Sequence, residues 1–255
     1  PYIITDWEDS VERIMKKNEK YWDAGNVHIK EIHYTFNKEA GTLAPEMFLR
    51  GEITGASISS SLLSDWMADP AKKEMVSPAA TSWYSYFYAF NFDPKFDEEH
   101  EPENWRVVVN NVNFRRSMFY ALDRMAAMLT AEPHDPARRI SNTLTPKNFT
   151  TVNGVDFVEI GPLAEITARD SFNKEEALKY KDIALEELAG KATFPVKVPM
   201  PFNSGITDWT NRVQVVEQQM EGLLGADYID IIPVSFPPTN FLTESRRAGR
   251  YAIQE

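Results

Sequence analysis

The chain has 255 residues, room for one large domain or two smaller ones, and its 43% hydrophobic content supports a core. Acidic residues outnumber basic ones 38 to 27, for a net charge of −11. That leaves no basic footprint for nucleic acid or an anionic membrane. The absence of cysteine excludes disulfides, thiolate nucleophiles and cysteine-bound zinc.

Taken in chain order, residues 1–36 read as β. Tyr2-Ile3-Ile4 and Val11 to Met15 are short strands around a polar turn, and Glu31 to Phe36 alternates with period two. Residues 40–50 read as helix, with Gly51 suited to the position just past its end. A short strand is expected near Ala56-Ser57-Ile58, then short helices over Ser61–Met67 and Pro70–Met75. Asp69-Pro70 starts the second of these helices. Residues 81–91 form the longest strand candidate, dense in aromatic residues. Residues 93–104, acidic and broken by Pro94 and Pro102, read as a solvated loop.

A helix is expected over 112–129, with Phe114, Met118, Ala121, Leu122 and Met125 on one face. Residues 131–172 carry little periodicity. A helix over 174–188 follows, capped by Asn173 with Glu176 three residues on. Then come a strand over 195–200, a helix over 207–224 ended by Gly225, a strand over 228–232, a short helix over 241–247 and a strand from Tyr251. This alternation predicts α/β layering. No run approaches the ~18 apolar residues of a membrane span, and no signal peptide is visible. The chain opens and closes in strand-like sequence, so a fragment of a longer protein is expected.

Nucleotide-loop, dinucleotide, nucleophile-elbow and zinc-protease motifs are absent. The histidines, His28, His33, His100 and His134, have no ligand spacing, and no metal or cofactor is expected. Asp97-Glu98-Glu99-His100-Glu101 lacks the spaced ligands and turn glycine of a calcium loop and reads as solvated. The aromatic strand is more informative. Alternation puts Tyr84, Tyr86 and Tyr88 on one face, and each hydroxyl needs a partner. Two readings stand: a core strand whose tyrosines reach the surface, or a cleft wall offering rings and hydroxyls to a ligand. Arg115, Arg116, Asp123 and Arg124 read as structural ion pairing.

Several motifs occur together and in order. Asn18-Glu19-Lys20-Tyr21-Trp22, Leu49-Arg50-Gly51-Glu52-Ile53 and Tyr86-Phe87-Tyr88-Ala89-Phe90-Asn91 precede Asn113-Phe114-Arg115-Arg116 through Ala121-Leu122-Asp123-Arg124. Leu224-Gly225 with Ile229-Asp230-Ile231 and Phe241 to Tyr251 follow. The set resembles the family 5 extracellular solute-binding proteins, the oligopeptide- and dipeptide-binding components of bacterial ABC importers. Ser117 departs from the alanine usual in that pattern.

The resemblance implies a two-lobed α/β fold of the periplasmic-binding-protein type (type II, oligopeptide-binding cluster), present here as a fragment. Residues 1–80 would be part of the first lobe, 81–91 an interlobe crossing strand, and 92–255 a truncated second lobe. It implies an extracytoplasmic monomer, in a periplasm or as a cell-surface lipoprotein, with an oligopeptide ligand and ABC permease subunits as partners. Tyr84 and Tyr86 would line the cleft. Asn203, Arg246 and Arg247 would face the ligand; on the residues alone they are also a turn residue and a solvated helix end. The usual acidic anchor for the peptide amine would lie beyond Tyr251. An oligosaccharide ligand is the alternative within the family. A glycosidase with paired carboxylates is the alternative outside it, but no acid here sits in a motif that places it against a partner. No enzymatic activity is expected.

Overall fold

The computed structural model describes residues 1–37, 39–78 and 84–255. They fall into two compact units, Pro1–Val76 and Ser77–Glu255. In the first, strands β1 (Tyr2–Glu8), β2 (Glu12–Lys17) and β3 (Glu31–Thr35) form an antiparallel meander. Met15 pairs with Ile32 and Ile14 with His33. His33 lies between two carboxylates, 3.2 Å from Glu12 and 2.7 Å from Glu31. The Glu12 hydrogen bond, then that of Glu31, raises its pKa. Helices α1 (Ala40–Leu49), α2 (Ser60–Ala68) and α3 (Pro70–Lys73) follow. Gly51 takes the left-handed φ of 72° beyond α1, and Asp69 caps α3 by accepting from the Ala71 and Lys72 amides. The expected strand at 56–58 does not form. Extended sequence becomes a strand only where a neighbour supplies hydrogen bonds.

In the second unit the expected 81–91 strand is seen as β4 (Ala89–Phe90), with 84–88 outside any strand; residues 81–83 lie outside the described residues. The solvated-loop reading of 93–104 also needs correction. Pro102 opens helix α4 (Pro102–Asn110), because proline is well placed in a first helical turn. The helix expected over 112–129 is two, α5 (Val112–Ala121) and α6 (Arg124–Met128). Leu122 and Asp123 are extended between them. Asp123 caps α6 through the Ala126 amide, while its own N–H donates to Gln219 at 2.9 Å. The stretch 131–172 contains a hairpin, β5 (Thr151–Val152) and β6 (Val155–Asp156), and helix α7 (Pro162–Ala168). Arg124 fastens this stretch by donating to the Ser141 carbonyl at 3.1 Å and to Asn142 at 2.6 Å.

The remaining elements are α8 (Lys174–Leu188), β7 (Val196–Asn203), α9 (Thr207–Leu224), β8 (Ile229–Phe236), α10 (Phe241–Glu244) and β9 (Ile253–Gln254). Asn173 caps α8 as expected, accepting from the Glu176 amide at 3.1 Å. β7 and β8 pair in parallel, Val198 opposite Ile231, with α9 as the crossover. The Ala252 amide donates to Pro199 at 2.8 Å, which sets β9 beside β7. β9 then pairs antiparallel with β4. The layer is therefore two adjacent two-stranded ladders, β7–β8 parallel and β4–β9 antiparallel, in the α/β order the alternation predicts. α9 packs on β7 and β8, α4 on β7, and α5 against both α8 and α9. Trp105, Phe114, Met118, Val198, Met200, Val216, Ile229 and Ile231 fill the core at 0–1% exposure. Each large apolar side chain so buried contributes about 1.5–3 kcal/mol.

Ser117, the departure from the family pattern, has a structural reason. It is fully buried on α5; its hydroxyl donates to the Phe114 carbonyl at 2.7 Å and meets the Tyr228 hydroxyl at 3.1 Å. Tyr228 is itself 1% exposed, and burial raises its phenol to about 12. Ser117→Ala strands that hydroxyl and is expected to cost about 1–2 kcal/mol. In a denaturation series, adding Tyr228→Phe should recover most of the loss. Additive losses would show that the two hydroxyls do not depend on each other.

Candidate ligand site at the sheet edge

In open α/β sheets, ligands lie outside the carboxyl ends of the parallel strands. Here those ends are Asn203 of β7 and Phe236 of β8, paired in register. Ser204 ties them together, donating from both N–H and Oγ to the Phe236 carbonyl at 3.0 Å. Asn203 turns its Oδ1 back to accept the Gly205 amide at 2.9 Å. Gly205 is required by close approach, since a Cβ there would stand 2.4 Å from Pro238 Cγ. Behind this turn the Trp209 ring meets Phe241 edge-on at 4.9 Å.

Tyr84 and Tyr86 are 74% and 75% exposed, so neither belongs to the core. Phe87 and Leu144 beside them are also exposed, and the Ser85 hydroxyl donates to the Leu144 carbonyl. Tyr88 behaves differently from the other two tyrosines. Its hydroxyl is buried on the side of Arg212 and Glu255. Burial first, and then the Glu255 charge, push its ionisation far above the ordinary phenol range. In the β4–β9 ladder Ala89 faces Gln254 and Phe90 faces Ile253.

Of the expected site residues, Arg246 enters a polar cluster. Arg246 donates to the backbone carbonyl of Glu255. Arg247 is exposed, and its amide donates to the Leu242 carbonyl at 2.9 Å. Asn203, Tyr86 and Arg247 share no hydrogen bond among the described residues. Arg212 and Glu255 complete the cluster, and sequence reading passed over both. Arg212 donates from Nε and Nη2 to Glu255 Oε2 at 3.0 and 2.7 Å. A usable signal was present: Arg212 stands on the same stripe of α9 as Val213, Val216 and Met220, where a lone charge implies a buried partner.

The acid-rich loop lies elsewhere, beside a recess of about 690 Å³ lined by Glu98, Glu101, Glu103 and Thr193 among others. Two of the lining carboxylates have local partners. Glu101 meets Lys197 at 2.9 Å, and that hydrogen bond holds its carboxyl below the usual range; Glu103 pairs with Arg106.

Comparison with known proteins agrees with this architecture. The model of the bacterial extracellular solute-binding proteins, family 5 Middle, matches residues 1–254. The oligopeptide-binding protein AliA of Streptococcus pneumoniae is 24% identical over 256 residues, covering 91% of this chain and 38% of that protein. The solved structure of Listeria monocytogenes OppA bound to peptide superposes with a TM-score of 0.60 at 18% identity, over 100% of this chain and 45% of that one. The substrate-binding domain of an oligopeptide ABC transporter from Bacillus anthracis gives 0.58 at 16% identity, over 100% and 44%. At these identities the structural likeness shows the fold: α/β, and part of the fold of these oligopeptide-binding proteins. The chain spans less than half the length of the relatives it matches.

Proposed function

Because the chain belongs to the bacterial extracellular solute-binding proteins, family 5, we propose that it is part of an extracytoplasmic protein that captures oligopeptides and delivers them to the permease of an ABC importer. The observation that carries this reading is the aromatic segment leading into β4, in which Tyr84, Tyr86 and Phe87 are exposed. An extended peptide adds to such a segment through backbone hydrogen bonds, while ring faces take its side chains. Asn203 at the end of β7 and Arg246 after α10 would offer donors to a polar backbone or a carboxylate. In this reading residues 81–91 cross between lobes. The relatives are binding proteins, and we propose no reaction.

Mass spectrometry of what co-purifies with the intact protein tests the ligand class. Short peptides are expected; a bound oligosaccharide, or no peptide-dependent rise in melting temperature, would overturn it. With a peptide so identified, the double variant Tyr84→Ala/Tyr86→Ala should lose about 1 kcal/mol or more of affinity, the scale of a hydrogen bond or ring contact. Unchanged affinity there, and in Asn203→Ala and Arg246→Ala, would remove this edge from the site.

A further inference from the structure

The segment 141–145 belongs to no helix or strand, yet side-chain donors take four of its carbonyls. Arg124 Nη1 donates to Ser141 at 3.1 Å, Ser141 Oγ to Thr143 at 2.8 Å, and Thr143 Oγ1 to Thr145 at 2.6 Å. The Ser85 hydroxyl takes the carbonyl of Leu144. Asn142 is the hub of this arrangement. Its Oδ1 accepts from Arg124 Nη2 at 2.6 Å, and its Nδ2 donates to the Thr167 carbonyl at 2.9 Å and to the Arg169 carbonyl. Those two carbonyls stand at the end of α7, where a helix leaves its last carbonyls without partners of its own. One planar amide thus serves a guanidinium and a helix end together; an aspartate carboxylate there would lack the donors.

We propose that Asn142 is a positioning residue of the capture site: clamped between Arg124 and the end of α7, it holds the Leu144 carbonyl where Ser85 bonds it, and so fixes the segment that carries Tyr84 and Tyr86. Ser85 lies between the two tyrosines in sequence, so its bond to Leu144 constrains the backbone on which both rings stand. Loss of the Asn142 amide frees two carbonyls of the α7 end and one arm of Arg124. Segment 141–145 has no ladder or helical bonds to fall back on, so it shifts, and the Leu144 carbonyl shifts with it. The consequence for a bound peptide rests on the capture reading above; the link from Asn142 to Ser85 does not.

Fluorine NMR of the intact protein carrying 3-fluorotyrosine, with Asn142→Ala and Ser85→Ala variants, tests this. In both variants the Tyr84 and Tyr86 resonances should move toward the position of free fluorotyrosine. The resonance of Tyr228, buried in the core, should stay where it is. For a peptide that co-purifies with the wild type, each variant should bind about fivefold more weakly, the scale of one hydrogen bond. The double variant should bind no more weakly than the worse single one, because both substitutions break the same link. Unmoved Tyr84 and Tyr86 resonances in Asn142→Ala, an equal shift at Tyr228, or affinity losses that add would each overturn the proposal. Ser85→Ala removes one exposed hydroxyl and serves where Asn142→Ala does not fold; unmoved tyrosine resonances there overturn it too. If the wild type binds no peptide but the resonances shift as expected, the capture reading fails and the link stands.

Discussion

Trp105→Ala is expected to destabilise the protein by about 3–5 kcal/mol, the range for deleting a large buried aromatic side chain. Trp105 is 0% exposed on α4, with its ring edge-on to Phe114 at 6.0 Å. Its indole N–H donates to the Asn91 carbonyl at 2.7 Å. The alanine variant therefore opens a cavity against β7 and also leaves a buried carbonyl unsatisfied. Trp105→Phe separates the two effects. It keeps most of the apolar contact and forfeits the hydrogen bond, so about 1–2 kcal/mol should be lost. Urea unfolding of the three proteins provides the measurement. A loss below about 1 kcal/mol for the alanine variant would mean that the α4 contact with the sheet is not central to the core.

Asn91→Ala should cost about 2–4 kcal/mol, from several hydrogen bonds near 1 kcal/mol each. The residue is 8% exposed at the end of β4. Its Nδ2 donates to the Gly249 and Tyr251 carbonyls at 3.0 and 2.9 Å, and its Oδ1 accepts the Asp93 amide at 3.0 Å. One amide side chain thus joins the end of the aromatic segment to the return toward β9, across more than 150 residues of chain. The sharper test is Asn91→Asp. It is nearly isosteric and keeps the acceptor, yet it directs a carboxylate oxygen at two carbonyls that need donors. The aspartate variant should therefore be less stable than the alanine variant at neutral pH, and acid should partly restore it as the carboxyl protonates. An aspartate variant as stable as the wild type would show that the two carbonyls do not depend on Asn91.

Much of the helical framework was legible because its determinants are local. Asn173 before 174–188, Gly225 after 207–224 and Asp69-Pro70 before α3 act on backbone groups within four residues of themselves. The ordered motifs from Asn18 to Tyr251 likewise point to the family by themselves. The misreadings share one feature, a partner distant in sequence. The run 112–129 is one helix by periodicity and breaks because Gln219 on α9 takes the Asp123 amide. Pro102 reads as a breaker until the helix behind it buries Trp105 against the sheet.

The candidate site divides along the same line. The sequence by itself determined the aromatic composition of 84–88, the α/β order and the family. Only the tertiary structure decided that Tyr84 and Tyr86 are exposed while the Tyr88 hydroxyl is buried, because burial depends on which distant segments pack against a residue. Arg212 and Glu255 lie 43 positions apart, and nothing local records that they meet. Burial creates that pairing: a charge enclosed by the fold must find its counter-charge wherever the fold has brought one.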